Sequence, residues 1–224
     1  MCEAAQIQFD AIPSFLDASI GDLEDLVPGQ VAIAGYFCDN LARPSPGQRY
    51  LARQLRYASC PTVTPSNAID LGDVNVFPLE PDKHFLAVAS QCESVLETGA
   101  RMVLVGGDSS GLEALDVAAR QVTGADVPII EVNGGVVSHL PHTQPVVLSV
   151  DLQELAGKWV SHPHRLAGMS PAQMITQIDA TPGDIIAAAV FGLAPELDNR
   201  GKAETRAALA ILQAVTARLE KGAG

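Results

Sequence analysis

Residues 102–111 read MVLVGGDSSG: four apolar residues, two glycines, an aspartate, two serines and a third glycine. An unbroken apolar run, a Gly-Gly break and then a helical pattern over residues 111–123 describe a buried strand turning into a helix. Working outward, the same unit recurs. Residues 31–34 (VAIA), 127–132 (VPIIEV), 146–150 (VVLSV) and 185–191 (IIAAAVF) are apolar runs rather than alternating ones. Strands of this kind suit a sheet covered on both faces, and hence a parallel one. Helical patterns lie between them. Residues 85–98 (FLAVASQCESVLET) end at Gly99, a C-terminal stop. Residues 170–178 open with Ser170-Pro171, a cap followed by a first-turn proline. Residues 203–220 form a long Ala/Leu-rich terminal helix.

Strand–helix alternation predicts an α/β fold, a three-layer αβα sandwich with a mainly parallel sheet. It occupies one domain over residues 31–224. Residues 1–30 have no clear period and are expected to form a partly irregular N-terminal arm. Residues 134–144 and 156–165 read as loops by composition, the second carrying Trp159, His162 and His164.

A chain of 224 residues buries enough surface to fold without a disulfide or metal staple. Its net charge of −12 speaks against nucleic acid or an anionic membrane surface as partner, because both require basic patches. No apolar run approaches the roughly 20 residues of a membrane-spanning helix. The opening MCEAAQIQFD is polar and acidic, unlike a signal peptide. Cys2, Cys38, Cys60 and Cys92 are widely spaced, without a C-x-x-C pair, and read as reduced thiols of a cytoplasmic protein.

Ligands of α/β folds sit outside the carboxyl ends of the strands. Five segments bear on that edge: GYFCD (35–39) with RPSPGQRYLARQLR (43–56), DLGDV (70–74), VGGDSS (105–110), LSVDLQ (148–153) and FGLAPELD (191–198). In this order they resemble the ureohydrolase (arginase/agmatinase) motifs G-A-R-x-G-P-x-x-I-R, D-x-G-D-V, G-G-D-H-S, S-x-D-x-D and E-x-x-P-x-x-D. The resemblance runs from Gly35 onward. It implies a trimmed arginase/deacetylase architecture and a dinuclear centre, usually manganese, that makes a hydroxide to attack a guanidinium carbon.

The departures decide what the resemblance implies for function. The six metal-ligand positions fall on Ser109, Asn133, Gly135, Val137, Asp151 and Gln153, of which only Asp151 is a carboxylate. Divalent ions of this kind need several O and N donors. The closing glutamate, which would hold the guanidinium, falls on Gly192. Only a short loop separates Val137 from Asp151, where the family has several dozen residues.

Other residues admit two readings each. Asp108 and Asp151 form a residual polar pocket or cap helices and hydrogen-bond loop backbone. His139, His142, His162 and His164 are solvated loop residues, or His162 and His164 form a metal or acid–base pair. Residues 107–111 fit G-x-S-x-G, and the order Ser109, Asp151, His162 or His164 matches a hydrolase triad. No oxyanion loop accompanies it. Cys38, beside Asp39, is expected to be buried and inert unless Arg43 activates it. Arg49, Arg53 and Arg56 recur at near-helical spacing and suit an ion-paired helix face or a subunit contact, the alternative being a nucleotide or anion site.

The expectation is a ureohydrolase-like protein that has lost its metal site and serves as a non-catalytic binding or assembly subunit. It has no cofactor, manganese entering only if the ligand positions still hold it. Ligand-binding candidates are Asp108, Ser109, Ser110, Asn133, Asp151 and Gln153. Candidate catalytic residues, for an enzyme of altered chemistry in the same cleft, are Asp108, Ser109, Asp151, His162 and His164. Because ureohydrolases form trimers and hexamers, a homo-oligomer or an assembly with an active ureohydrolase is expected.

Overall fold

Residues 13–39, 47–59, 67–77, 79–135, 140–155, 168–195 and 203–222 are described by the computed structural model. The apolar runs are strands of one seven-stranded sheet: β1 (Ser19–Ile20), β2 (Val31–Gly35), β3 (Ile69–Asp73), β4 (Arg101–Val105), β5 (Ile129–Glu131), β6 (Pro145–Asp151) and β7 (Asp184–Phe191). All pairs are parallel, in the order β1-β3-β2-β4-β7-β6-β5. The helices are α1 (Leu51–Ser59), α2 (Pro81–Glu97), α3 (Ser110–Thr123), α4 (Pro171–Ala180) and α5 (Ala203–Lys221).

Alternate residues of the central strands feed separate cores. Ile33, Val103 and Val105 pack with residues of α1, α4 and α5, while Ala32, Met102 and Leu104 pack with residues of α2 and α3. Both faces of β4 are therefore dry, which is why its sequence shows no polar alternation. Among the described residues no helix is long and apolar enough to cross a membrane.

The structure adjusts the expected boundaries. Helix α2 begins at Pro81, four residues before the apolar period, because proline's fixed φ suits a first turn. Strand β3, whose IDLGD is only partly apolar, fills the sheet beside β2. The N-terminal arm is irregular in part, yet Ser19–Ile20 pairs with β3, and Phe15 and Leu16 are buried. Between the parallel neighbours β5 and β6 lie only residues 132–144, and no helix occurs among those described. This crossover is near the minimum that parallel pairing permits. The loop expected at residues 156–165, with Trp159, His162 and His164, lies outside the described residues, as do His139, Arg43 and Val137.

From β2 the chain passes through α1 to β3 on one side, whereas β4 lies on the other. The carboxyl ends of β2 and β4 thus flank a topological switch point, where open α/β sheets form a crevice.

Candidate functional site

The turn after β4 is shaped by its second glycine. Gly107 has φ +65°, and a Cβ there would overlap the Tyr36 ring and lie 2.7 Å from the Cys38 carbonyl oxygen. Only glycine allows the segment after β2 to press this closely against the turn after β4. Its N–H donates to the Gln48 carbonyl at 3.1 Å, and its carbonyl accepts from Gly192 N–H at 3.2 Å.

Beside this turn, at the amino ends of α2 and α3, lies a cavity of about 490 Å³. Apolar side chains including Phe37, Phe85 and Val88 line much of it, Asp39 and Arg49 contribute charges, and Tyr36, His84 and Ser110 form a polar wall. Tyr36 Oη lies 2.7 Å from His84 Nε2 and 2.8 Å from Ser110 Oγ. Ser110 Oγ bonds in turn to Asp108 Oδ1, which also accepts the Ser110 backbone N–H at 3.0 Å. Phe77 N–H meets His84 Nδ1 at 3.1 Å. Tyr36, His84 and Asp108 are all buried.

Burial raises the Tyr36 phenol pKa well above its usual value, against the opposing pull of the Ser110 hydrogen bond. Burial likewise pushes the Cys38 thiol up, with help from Asp108 and Asp39, so this cysteine is the inert kind rather than a thiolate. Burial lowers the His84 pKa, and the charge of Asp108 opposes that only in part.

His84 therefore folds as a neutral ring while remaining free to protonate in the unfolded chain. With the folded pKa below the unfolded value of about 6.5, its contribution is complete above that pH and declines as pH falls toward the folded value. The stability difference between wild type and His84→Gln, measured by urea denaturation, is expected to be largest at pH 8. It is expected to shrink progressively below about pH 6.5. A difference that stays constant down to pH 5 would show that His84 is not held neutral.

A second polar group lies at the ends of β6 and β7. Asp151 Oδ1 accepts Gln153 N–H at 2.9 Å, capping a short 3₁₀ turn. Gly192 follows β7 with φ +92°; a Cβ there would overlap Asp151 Oδ1 and stand 3.2 Å from Gln153 Cγ. Gln48 Nε2 donates to the Gly192 carbonyl at 3.2 Å. Asn133 is exposed beyond β5; its side chain accepts Gly135 N–H at 2.9 Å and donates to Glu131 Oε2 at 3.1 Å. Among the described residues, no cluster of three His, Cys, Asp or Glu side chains is placed to hold a metal ion.

The expected site residues thus fall into two groups. Ser110 lines the cavity with Asp108 hydrogen-bonded to it, Asp151 and Gln153 belong to the group around Gly192, and Asn133 stands apart beyond β5. Ser109 has ordinary helical angles, φ −66° and ψ −8°, and makes no side-chain cap. It lacks the strained turn that a nucleophile elbow requires, since Gly106 and Gly107 carry the positive φ values. Sequence reasoning missed Tyr36 and His84. The only local signal for His84 is a histidine in the first turn of a proline-started helix, which resembles a solvated residue.

No protein-family model and no curated protein matches the chain. Solved structures do. A hypothetical agmatinase from Burkholderia thailandensis superposes with a TM-score of 0.77 at 16% identity, over 95% of this chain and 92% of that one. Proclavaminate amidino hydrolase from Streptomyces clavuligerus gives 0.77 at 14% identity, over 95% and 98%. Formiminoglutamase from Trypanosoma cruzi, solved with manganese, gives 0.63 at 16% identity, over 92% and 94%. At these identities the likeness establishes the fold, which is that of the arginase and agmatinase enzymes.

Proposed function

Starting from a ureohydrolase fold, we propose that this chain lacks the dinuclear metal centre and acts as a non-catalytic binding or assembly subunit. The observation that carries this reading is the contact between Gly192 and Asp151. The position that would present a carboxylate to a guanidinium is a left-handed glycine filled from the side by Asp151 and Gln153. Asp151, the one carboxylate among the six ligand positions, is already engaged in capping Gln153 N–H. Asn133 is closed on its own turn, and Gly135 brings no side chain. Manganese pairs are held by several carboxylate and imidazole donors, and the residues present do not fit one.

Elemental analysis of the purified protein is the direct test. Less than a tenth of an equivalent of manganese, nickel or zinc per chain is the expected result, together with no urea from arginine or agmatine in added manganese. Stoichiometric metal or enzymatic urea release would defeat the proposal. Assembly as a trimer, a hexamer or a complex with an active ureohydrolase is part of the same reading, because subunit contacts depend on packed surfaces rather than on metals. Light scattering during gel filtration checks it.

A second reading, an enzyme of altered chemistry, rests on the hydrogen bond between Ser110 Oγ and the Asp108 carboxylate in the cavity wall. A hydroxyl on a carboxylate is the start of a nucleophile, but Tyr36 bonds to the same oxygen and reduces its nucleophilicity.

A further inference from the structure

The direction of the protons that link His84, Tyr36, Ser110 and Asp108 follows from the two ends of the chain they form. At one end Phe77 N–H can only donate, so His84 Nδ1 accepts and the neutral ring carries its hydrogen on Nε2. His84 Nε2–H therefore donates to Tyr36 Oη, and Tyr36 donates onward to Ser110 Oγ. At the other end the Asp108 carboxylate can only accept, so Ser110 gives it the last proton. Tyr36 Oη also has the Cys38 thiol as a hydrogen-bond partner, so the lone pair left to an entering group is on Ser110 Oγ, which has no hydrogen to offer. A group entering the cavity beside Ser110 must be a donor.

Charge points the same way. Arg49 lies 3.7 Å from Asp39 and stacks on the Tyr50 ring 4.8 Å away, so among the described lining residues one positive charge meets one negative. Asp108, behind Ser110, adds a negative charge whose field reaches Tyr36, Cys38 and His84. Phe37 and Phe85 also line the cavity, and aromatic rings attract cations. None of the residues lining this cavity belongs to the Asp151, Gln153 and Gly192 group.

We propose that the cavity beside Tyr36, His84 and Ser110 binds a small molecule with an apolar body and a hydrogen-bond-donating head, a primary ammonium on an aryl or branched alkyl stem. This rests on the preceding reading only in starting from the same fold, the cavity being separate from the group around Gly192.

Phenethylamine and 3-phenylpropionate have similar bodies and opposite head groups. Titrated into the full chain at pH 7.5 and followed by calorimetry, the amine is expected to bind one per chain, with a Kd of about a millimolar as befits a fragment. The carboxylate is expected to bind at least about tenfold more weakly, the usual worth of a charge-assisted hydrogen bond. Ser110→Ala is expected to weaken the amine about tenfold. If that variant does not fold, the comparison of the two probes on wild type decides alone. Equal binding of the carboxylate, no saturable binding of the amine, or amine binding unchanged in a folded Ser110→Ala would overturn the proposal. Urea release would end the preceding reading without touching this one, and absent amine binding would do the reverse.

Discussion

Gly192→Glu, which puts a glutamate where the ureohydrolase motif carries one, is expected to cost at least about 3 kcal/mol and to restore no activity. Three effects act together. A non-glycine residue at φ +92° is strained by about 1–3 kcal/mol. Its Cβ would overlap Asp151 Oδ1 and crowd Gln153 Cγ, and overpacking of this sort adds about 1–3 kcal/mol. The new carboxylate would also stand beside an existing one, which raises the cost of charging either. Gly192→Ala carries the first two effects alone and is expected to lose less. Denaturant midpoints by circular dichroism rank the three proteins. A Gly192→Glu protein as stable as wild type would mean that Asp151 moves aside easily and that the site is not filled. A gain of manganese binding or urea release in this variant would defeat the proposed function outright.

Arg56→Leu is expected to destabilise by about 3–5 kcal/mol, the cost of stranding a buried charge. Arg56 lies in α1 and grips Asp70 with two nitrogens, Nε at 2.8 Å and Nη2 at 2.9 Å. It reaches Asp73 Oδ1 at 2.6 Å and the Gly72 carbonyl at 2.7 Å, and its guanidinium stacks 4.0 Å from the Phe15 ring. Burial disfavours the charge, but the hydrogen bonds to Asp70 and Asp73 prevail and raise its pKa. Asp70 is 2% exposed and also accepts Phe15 N–H and Gly72 N–H, each at 2.9 Å. Arg56 therefore ties α1, β3 and the N-terminal arm together. Arg56→Lys keeps the charge but not the fork, and is expected to fall between the two. A loss near 1 kcal/mol for Arg56→Leu would show that water reaches Asp70 and that the pair behaves as a surface bridge.

That pair also shows what the motif resemblance meant. The DLGDV segment and the arginine closing RQLR both match ureohydrolase patterns, and here the match marks a structural clasp rather than a ligand set. The reading of an ion-paired helix face was right in kind for Arg56, which pairs with β3. Arg49 instead pairs with Asp39, and Arg53 lies over the Tyr57 ring. Sequence spacing indicated that these arginines share a surface, but not which carboxylates the fold would bring to them.

The sequence by itself determined the architecture. The apolar runs of the central strands are strands because both of their faces must be dry, and each amphipathic run is a helix because only one of its faces must be; at the sheet's edge β5 leaves Ile129 exposed. These are local requirements, and local periodicity records them. The tertiary structure alone decided the cavity wall. Tyr36 and His84 are 48 residues apart and Tyr36 and Ser110 are 74 apart, and parallel strands brought them together at one sheet edge. The G-x-S-x-G pattern pointed to Ser109, but the hydroxyl in the network belongs to Ser110, because the positive φ values fall on Gly106 and Gly107 and the backbone is already in helical conformation at Ser109, just before α3. A hydrogen-bonded chain depends on which side chains meet across the fold, and no spacing along the chain encodes that meeting.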